Sequence, residues 1–106
     1  MEVLPLDTPR NDINALAKLG LEPADLEARW GLRFEPVEND LGPATLALIR
    51  LSSGTIIGFA RVETVRDPGV EVYQYGYRLP SVVLAELLAE TGLEPTELTW
   101  TTTDHP

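Results

Sequence analysis

The chain of 106 residues contains no cysteine, and its only histidine is His105. Without cysteine, neither a disulfide framework nor a thiolate metal site can form, and no oxidising compartment is implied, so we expect a cytoplasmic protein. Catalysis at neutral pH commonly uses histidine, cysteine or a carboxyl group with a shifted pKa. A histidine next to the last residue of the chain is poorly held. The sequence also has no glycine-rich phosphate loop, so it predicts neither an enzyme nor a bound cofactor.

Long apolar runs are also missing. No uncharged apolar stretch approaches about 18 residues, the length that a transmembrane helix requires. Residues 1–9 contain Glu2 and Asp7 but no basic residue, which is unlike a secretory signal peptide. We therefore expect neither membrane insertion nor secretion.

Basic residues are scarce. Lysine and arginine number 8 against 17 aspartates and glutamates, which gives a formal net charge of −9. Such a charge repels phosphate backbones, so direct nucleic-acid binding is not expected. The imbalance is strongest after Arg78, where five acidic residues and no basic residue occur. The sequence thus predicts an acidic pole in its C-terminal quarter.

What is present fits one globular α+β domain spanning residues 1–106. The apolar fraction of 43% is ordinary for a folded domain of this size. Helical spacing of apolar residues, with Pro near each start and Gly after each end, predicts helices over about 9–19, 23–30 and 80–91. Alternating apolar residues between turn signals predict strands near 32–37, 44–51, 55–65, 70–78 and 98–103. The predicted order is ααββββαβ, with helices on one face of an antiparallel or mixed sheet of about five strands.

Three tyrosines alternate along one predicted strand, so Tyr73, Tyr75 and Tyr77 are expected on the same face. A tight turn at residues 66–69 predicts a cross-strand register, in which these rings cover small residues of the preceding strand. On this face the predicted pairs are Tyr73 with Val62, Tyr75 with Ala60 and Tyr77 with Gly58. On the other, more polar face they are Phe59 with Gly76, Arg61 with Gln74 and Glu63 with Val72. The tyrosine face is either part of the core or an exposed aromatic surface for a partner or a flat ligand.

A polar group on the predicted opposite face offers a different hypothesis. Arg61, Gln74 and Arg78, together with Glu63, have the charges needed to hold an anionic ligand in a pocket between the sheet and the helices. Ordinary solvated charge pairs across the strands are the alternative. The best candidate metal ligands, Glu35, Glu38 and Asp40, lack the alternating acidic pattern of a calcium loop, so no metal site is predicted.

The acidic pole supplies the leading functional hypothesis. Glu86 and Glu90 are one turn apart on a predicted helix face, where like charges mildly destabilise a helix, and Glu94 and Glu97 follow. Together with the three tyrosines they suggest a non-catalytic domain that binds a basic protein surface, most specifically as an inhibitor, immunity or antitoxin-like protein. A solvated acidic face that maintains solubility is the alternative. A small-ligand-binding domain or enzyme subunit, and a homo-oligomer joined through strand edges, are the competing hypotheses.

Overall fold

A computed structural model describes residues 1–39 and 42–103 of the chain, with only the backbone of Asn39. Within this part, the chain forms seven strands, two α-helices and one short 3-10 helix. Their bounds are β1 (Glu2–Leu4), β2 (Ile13–Leu19), α1 (Pro23–Trp30), β3 (Glu35–Asn39), β4 (Gly42–Arg50), β5 (Ile56–Val62), β6 (Val70–Tyr75), α2 (Pro80–Thr91), the 3-10 helix (Pro95–Glu97) and β7 (Leu98–Thr101). The α+β class is confirmed, but the order and the number of strands differ from the prediction.

The strands form one sheet in which every neighbouring pair is antiparallel. Its order is β1-β4-β5-β6-β2-β7, and β3 also pairs with β4. The outer edge of β4 is therefore shared: β3 pairs with its first half and β1 with its end. This arrangement places β5 and β6 at the centre of the sheet, where both of their edges are paired.

The predicted helix over 9–19 is wrong, because Ile13–Leu19 is strand β2. The helix-like spacing of its apolar residues comes from a β-bulge. Ala15 lies opposite Tyr73 and Ala17 lies opposite Val72, so Leu16 is an extra residue in the ladder. A bulge interrupts the two-residue alternation of a strand. Apolar residues then recur at a spacing that resembles a helix turn, and this is why the sequence misled.

The remaining elements differ mainly at their ends. Strand β1 was not predicted, and the predicted strand over 70–78 ends early at Tyr75. Gly76 has φ +143°, a backbone conformation that only glycine adopts readily, and it turns the chain out of the sheet. Both α-helices form where they were predicted.

Two apolar clusters lie on opposite faces of the sheet. The larger cluster fills the space between the helices and one face. In it, Leu26 of α1 and Leu87 of α2 pack with the fully buried Phe59. The Trp30 ring lies 5.7 Å from the Phe59 ring, and its Nε1 donates a hydrogen bond of 3.1 Å to the Thr91 carbonyl, which links α1 to the end of α2.

The smaller cluster has no helical residue. Its members are Leu4, Leu46, Leu48 and Ala60, with Leu6, Val37, Ile56, Tyr73 and Tyr75 packed against them. We call this side of the sheet the helix-free face. Both described helices therefore lie on the other side, as predicted, and within residues 1–39 and 42–103 no helix covers this face of the sheet.

Candidate functional site

The glutamates of the acidic pole are held by intramolecular contacts. The Arg78 guanidinium donates to both carboxylate oxygens of Glu86, at 2.8 and 2.7 Å, and the Ser53 hydroxyl donates to Oε1 at 2.7 Å. The hydrogen bond from Arg78 is the main cause that lowers the pKa of Glu86 to about 2. One turn later, Glu90 accepts hydrogen bonds from the Ser52 backbone N–H at 2.9 Å and from its hydroxyl at 2.8 Å. Both carboxylates thus attach α2 to the turn between β4 and β5.

The other two predicted carboxylates belong to a different contact. Arg29 of α1 donates to both oxygens of Glu97 at 3.1 and 2.7 Å, and this interaction is the main cause of the lowered pKa of Glu97. Glu97 also accepts the backbone N–H of Glu94, and the Glu94 side chain completes a reciprocal capping box at the 3-10 helix. The structure therefore does not bring the four glutamates together as one open patch. Asp104 and His105 lie outside the described residues.

Two of the three tyrosines lie on the helix-free face. Tyr73 pairs with Gly58 and Tyr75 with Ile56, so the register is displaced by four residues from the predicted one. A displacement by an even number of residues keeps every side chain on its face, and the rings still lie beside Gly58 and Ala60. The Tyr75 ring covers Gly58: a β-carbon built there would meet Tyr75 Oη at 2.8 Å and Cε2 at 2.9 Å.

Tyr77 departs from the expectation, because it follows Gly76 and lies outside β6. Its side chain is 76% exposed, and its hydroxyl donates to the carboxylate of Asp12. The opposite face of the β5–β6 hairpin was predicted to be the more polar one, but it is mostly apolar. Phe59 faces Val72 and Ile57 faces the buried Gln74 there, under the helices.

A cleft of about 330 Å³ lies on the helix-free face. Its floor and walls are mostly apolar, and charged residues stand at its margin. The charged residues are Arg10 and Glu38. The uncharged lining residues are Ala44, Leu46, Ala60, Val37, Ile13, Tyr73 and Tyr75. Ile13 is 54% exposed although it is a large apolar residue. The volume lies within the range of about 300–1,000 Å³ that is usual for ligand pockets.

A second depression of about 170 Å³ extends this surface towards β7. It shares Tyr73 with the first cleft and is bordered by Lys18, Glu71 and Trp100. The Trp100 side chain is 51% exposed. An apolar, aromatic surface thus crosses the sheet from β3 to β7.

Hydrogen bonds and charges fix the two rings in place. The Tyr73 hydroxyl donates to the Glu71 carboxylate, and burial followed by this bond raises the Tyr73 pKa far above its usual value. The Arg10 guanidinium lies 5.2 Å from the centre of the Tyr75 ring, a cation–π distance, while burial raises the Tyr75 pKa. Arg10 is itself anchored by a 2.7 Å hydrogen bond to the Leu6 carbonyl. These contacts hold both rings in place within the fold.

Two further carboxylates lie at the end of the sheet where β3, β4 and the residue after β5 meet. Glu38 and Glu63 border a shallow depression with Pro36 and Pro43, next to the 330 Å³ cleft. Neither carboxylate forms an ion pair with another residue of the described ranges, in contrast to Glu86 and Glu97. Glu35 and Glu38 both lie on β3, but Asp40 lies outside the described residues. No group of three potential metal ligands occurs within residues 1–39 and 42–103.

The residues of the ligand hypothesis are separated. Arg61 donates to the carbonyls of Asp67, Gly69 and Val65, so it closes the connection between β5 and β6. Gln74 and Arg78 instead line one cavity at the other end of the hairpin. The three residues do not form a common anion site.

Arg10, Ile13 and Trp100 border the candidate surface but were not singled out from the sequence. Arg10 and Ile13 were hidden by the wrongly predicted first helix. Trp100 carried a usable signal, because it is a large aromatic residue in a short strand rich in threonine. The helix-free face with its two clefts is the candidate site.

In the described part of the chain, neither helix has the length and apolar character needed to cross a membrane. No protein-family model, no curated protein and no solved structure with which the chain was compared matches it.

Proposed function

We propose that this chain is a non-catalytic interaction domain that binds a basic, partly apolar segment of a protein partner on the helix-free face of its sheet. The observation that carries the proposal is an aromatic-walled apolar cleft on the helix-free face, lined also by Glu38, a carboxylate without an ion pair among the described residues. The most specific form of the proposal is an inhibitor, immunity or antitoxin-like protein that covers a cationic surface.

The apolar part of the surface supports binding of a macromolecule. Exposed apolar surface rimmed by polar groups commonly marks an interaction site, and tyrosine and tryptophan are enriched at such sites. Here Tyr73 joins the two clefts, while Trp100 and Ile13 are about half exposed at their outer margins. A segment in extended conformation would place alternate apolar side chains in the two clefts.

The charges favour a basic partner over an acidic one. The net charge of −9 attracts cations over the Debye length of about 8 Å at physiological salt. At shorter range, Glu38 and Glu63 offer carboxylates that no described cation neutralises. The glutamates of α2 fit the proposal less well, since Arg78 and Ser52 already occupy Glu86 and Glu90.

Two matched charge variants test where the partner binds. E38Q/E63Q and E86Q/E90Q each remove two negative charges, so long-range attraction falls equally in both. Binding is measured by two-dimensional NMR and calorimetry with a defined peptide of alternating lysine and leucine, and with the same peptide carrying glutamate for lysine. We expect E38Q/E63Q to weaken binding of the lysine peptide by roughly tenfold or more and to reduce the salt dependence of that binding. E86Q/E90Q should weaken binding of the same peptide by a smaller factor.

The resonances that shift should belong to the helix-free face, and Y73A should weaken binding without changing its salt dependence. Equal weakening by both charge pairs, or equal binding of the glutamate peptide, would refute the proposal. Light scattering at several concentrations tests the competing occupant, a second copy of the chain. A concentration-dependent dimer that shields Trp100 and Ile13 would replace the proposed partner.

A further inference from the structure

A separate cavity of about 420 Å³ lies on the helix side of the sheet, at the ends of β2 and β6 and beside the start of α2. It is lined by Asn14, Ala15, Gln74, Tyr77, Arg78, Pro80, Thr102 and Thr103. A single water occupies roughly 30 Å³, so the cavity can hold a small organic molecule. It shares no aromatic or charged residue with the clefts of the helix-free face.

Two residues with amide side chains, Asn14 and Gln74, line this cavity. Asn14 and Gln74 lie directly opposite each other on β2 and β6. The Asn14 amide nitrogen donates to the Gly76 carbonyl at 2.6 Å, and the Gln74 amide nitrogen donates to the Arg78 carbonyl at 2.7 Å. One N–H of each amide thus holds the chain between β6 and α2. These two bonds leave the second N–H and the oxygen of each amide unused.

Gln74 is the stronger of the two signals. Its side chain is only 2% exposed, and its Oε1 has no hydrogen-bond partner among the described residues. Rotating the amide by half a turn would bring Oε1 against the Arg78 carbonyl, and two acceptors would then face each other. The observed orientation is therefore the favourable one. A buried acceptor without a donor destabilises a fold, and a bound donor removes that cost.

The charges around the cavity argue against an ion. The Arg78 guanidinium is already paired with Glu86, Ser53 and Thr55, so it is not free to bind an anion. The start of α2 carries the positive end of the helix dipole, which disfavours a cation. The Tyr77 hydroxyl donates to Asp12, and its ring is left exposed.

We propose that this cavity binds a small neutral molecule that carries a primary carboxamide on a flat apolar body. One amide N–H donates to Gln74 Oε1, and the amide carbonyl accepts the hydroxyl of Thr102. The flat body lies against the exposed ring of Tyr77. This inference goes beyond the proposed function, because it concerns a different site and a different class of ligand.

Three probes with the same ring separate the proposed chemistry from its rivals. Benzamide is neutral and donates N–H, benzylamine is a cation at neutral pH, and benzoate is an anion. Gln74 is the only glutamine of the chain, so its side-chain amide gives one identifiable pair of resonances in a two-dimensional NMR spectrum. We expect benzamide to shift the amide pairs of Gln74 and Asn14 in a saturable way and the two charged probes to act at least tenfold more weakly.

Variants then test the contacts. Q74M keeps the size of the side chain but removes the acceptor, and we expect it to weaken benzamide about tenfold, the effect of one hydrogen bond. T102V should also weaken benzamide, whereas the matched T99V changes the same residue type on β7 outside the cavity and should not. If Q74M does not fold, the comparison of T102V with T99V still tests whether benzamide binds in the cavity. The proposal is overturned if the three probes give equal responses or if T102V binds benzamide unchanged. It is also overturned if no saturable shift occurs, which would mean that only water fills the cavity.

Discussion

The contact between Gly58 and the Tyr75 ring makes a prediction whose sign depends on the background. Gly58 lies in the middle of β5 with a backbone conformation that alanine can adopt. In G58A, however, the new β-carbon would lie 2.8 Å from Tyr75 Oη and 2.9 Å from Cε2. The ring must therefore move off the sheet, away from its position beside Arg10.

Two opposing effects set the magnitude. Displacing a packed group from overcrowded surroundings costs about 1–3 kcal/mol. Replacing a strand glycine by alanine recovers about 0.5–1 kcal/mol, because alanine loses less conformational freedom on folding. We expect G58A to lower the free energy of unfolding by about 0.5–2 kcal/mol in the natural sequence. In a Y75A background only the second effect remains, so G58A should raise it by about 0.5–1 kcal/mol.

Urea unfolding of the four proteins in the G58A and Y75A cycle measures this coupling, which should be about 1–3 kcal/mol. Y73A provides the control background. Tyr73 lies directly opposite Gly58, yet the three atoms nearest the built β-carbon all belong to Tyr75, so G58A should stay destabilising there. If G58A has the same effect with and without Tyr75, the ring does not cover the glycine and the positions of the rings on the helix-free face are wrong.

Three further results are expected, all from urea unfolding. G69A should destabilise the fold by about 2 kcal/mol or more, because Gly69 has φ +113° and a β-carbon there would overlap the Leu19 carbonyl oxygen. A neutral result would contradict the path of that turn. F59A should cost about 3–5 kcal/mol, as for other fully buried phenylalanines, and a loss below 1 kcal/mol would contradict a core centred on this ring. For Glu86, the folded-state pKa of about 2 lies below the usual value, so its pairing with Arg78 stabilises the fold above about pH 4.5 and is lost as the pH falls towards 2; E86Q should flatten this part of the pH profile.

The sequence predicted the tyrosine hairpin only in part, and the reason lies in its turn. Alternation correctly placed Tyr73 and Tyr75 on the face of Gly58 and Ala60, because the two-residue period does not depend on register. The register itself was wrong by four residues. The prediction assumed a tight turn at residues 66–69, whereas β5 ends at Val62 and a longer connection, closed by Arg61, leads to β6. The connection between β5 and β6 is held by the Arg61 side chain, which precedes it on β5, and so the residues of the connection themselves do not indicate its length.

The burial of the hairpin faces could not be derived from residue types alone. The face with Arg61 and Gln74 was expected to be polar, yet it is the core face. Arg61 reaches the backbone carbonyls at one end of that face, and Gln74 holds the Arg78 carbonyl at the other, so both polar groups lie at the limits of an apolar centre. The choice between the two faces is made by where the helices pack, and that is a property of the whole chain.

Charge counted along the sequence did not give the distribution of available charge in the fold. The acidic pole was inferred because the last quarter has no basic residue, but the bases that neutralise it come from elsewhere: Arg78 precedes α2 and Arg29 lies on α1. Charge counted along the sequence therefore overestimates the charge that remains available in the fold. Glu38, on the edge strand β3, is one of the carboxylates without an ion pair among the described residues, and it lines the largely apolar 330 Å³ cleft. A partner that recognises this protein by charge should accordingly be sought at the apolar surface and not at the most acidic segment of the sequence.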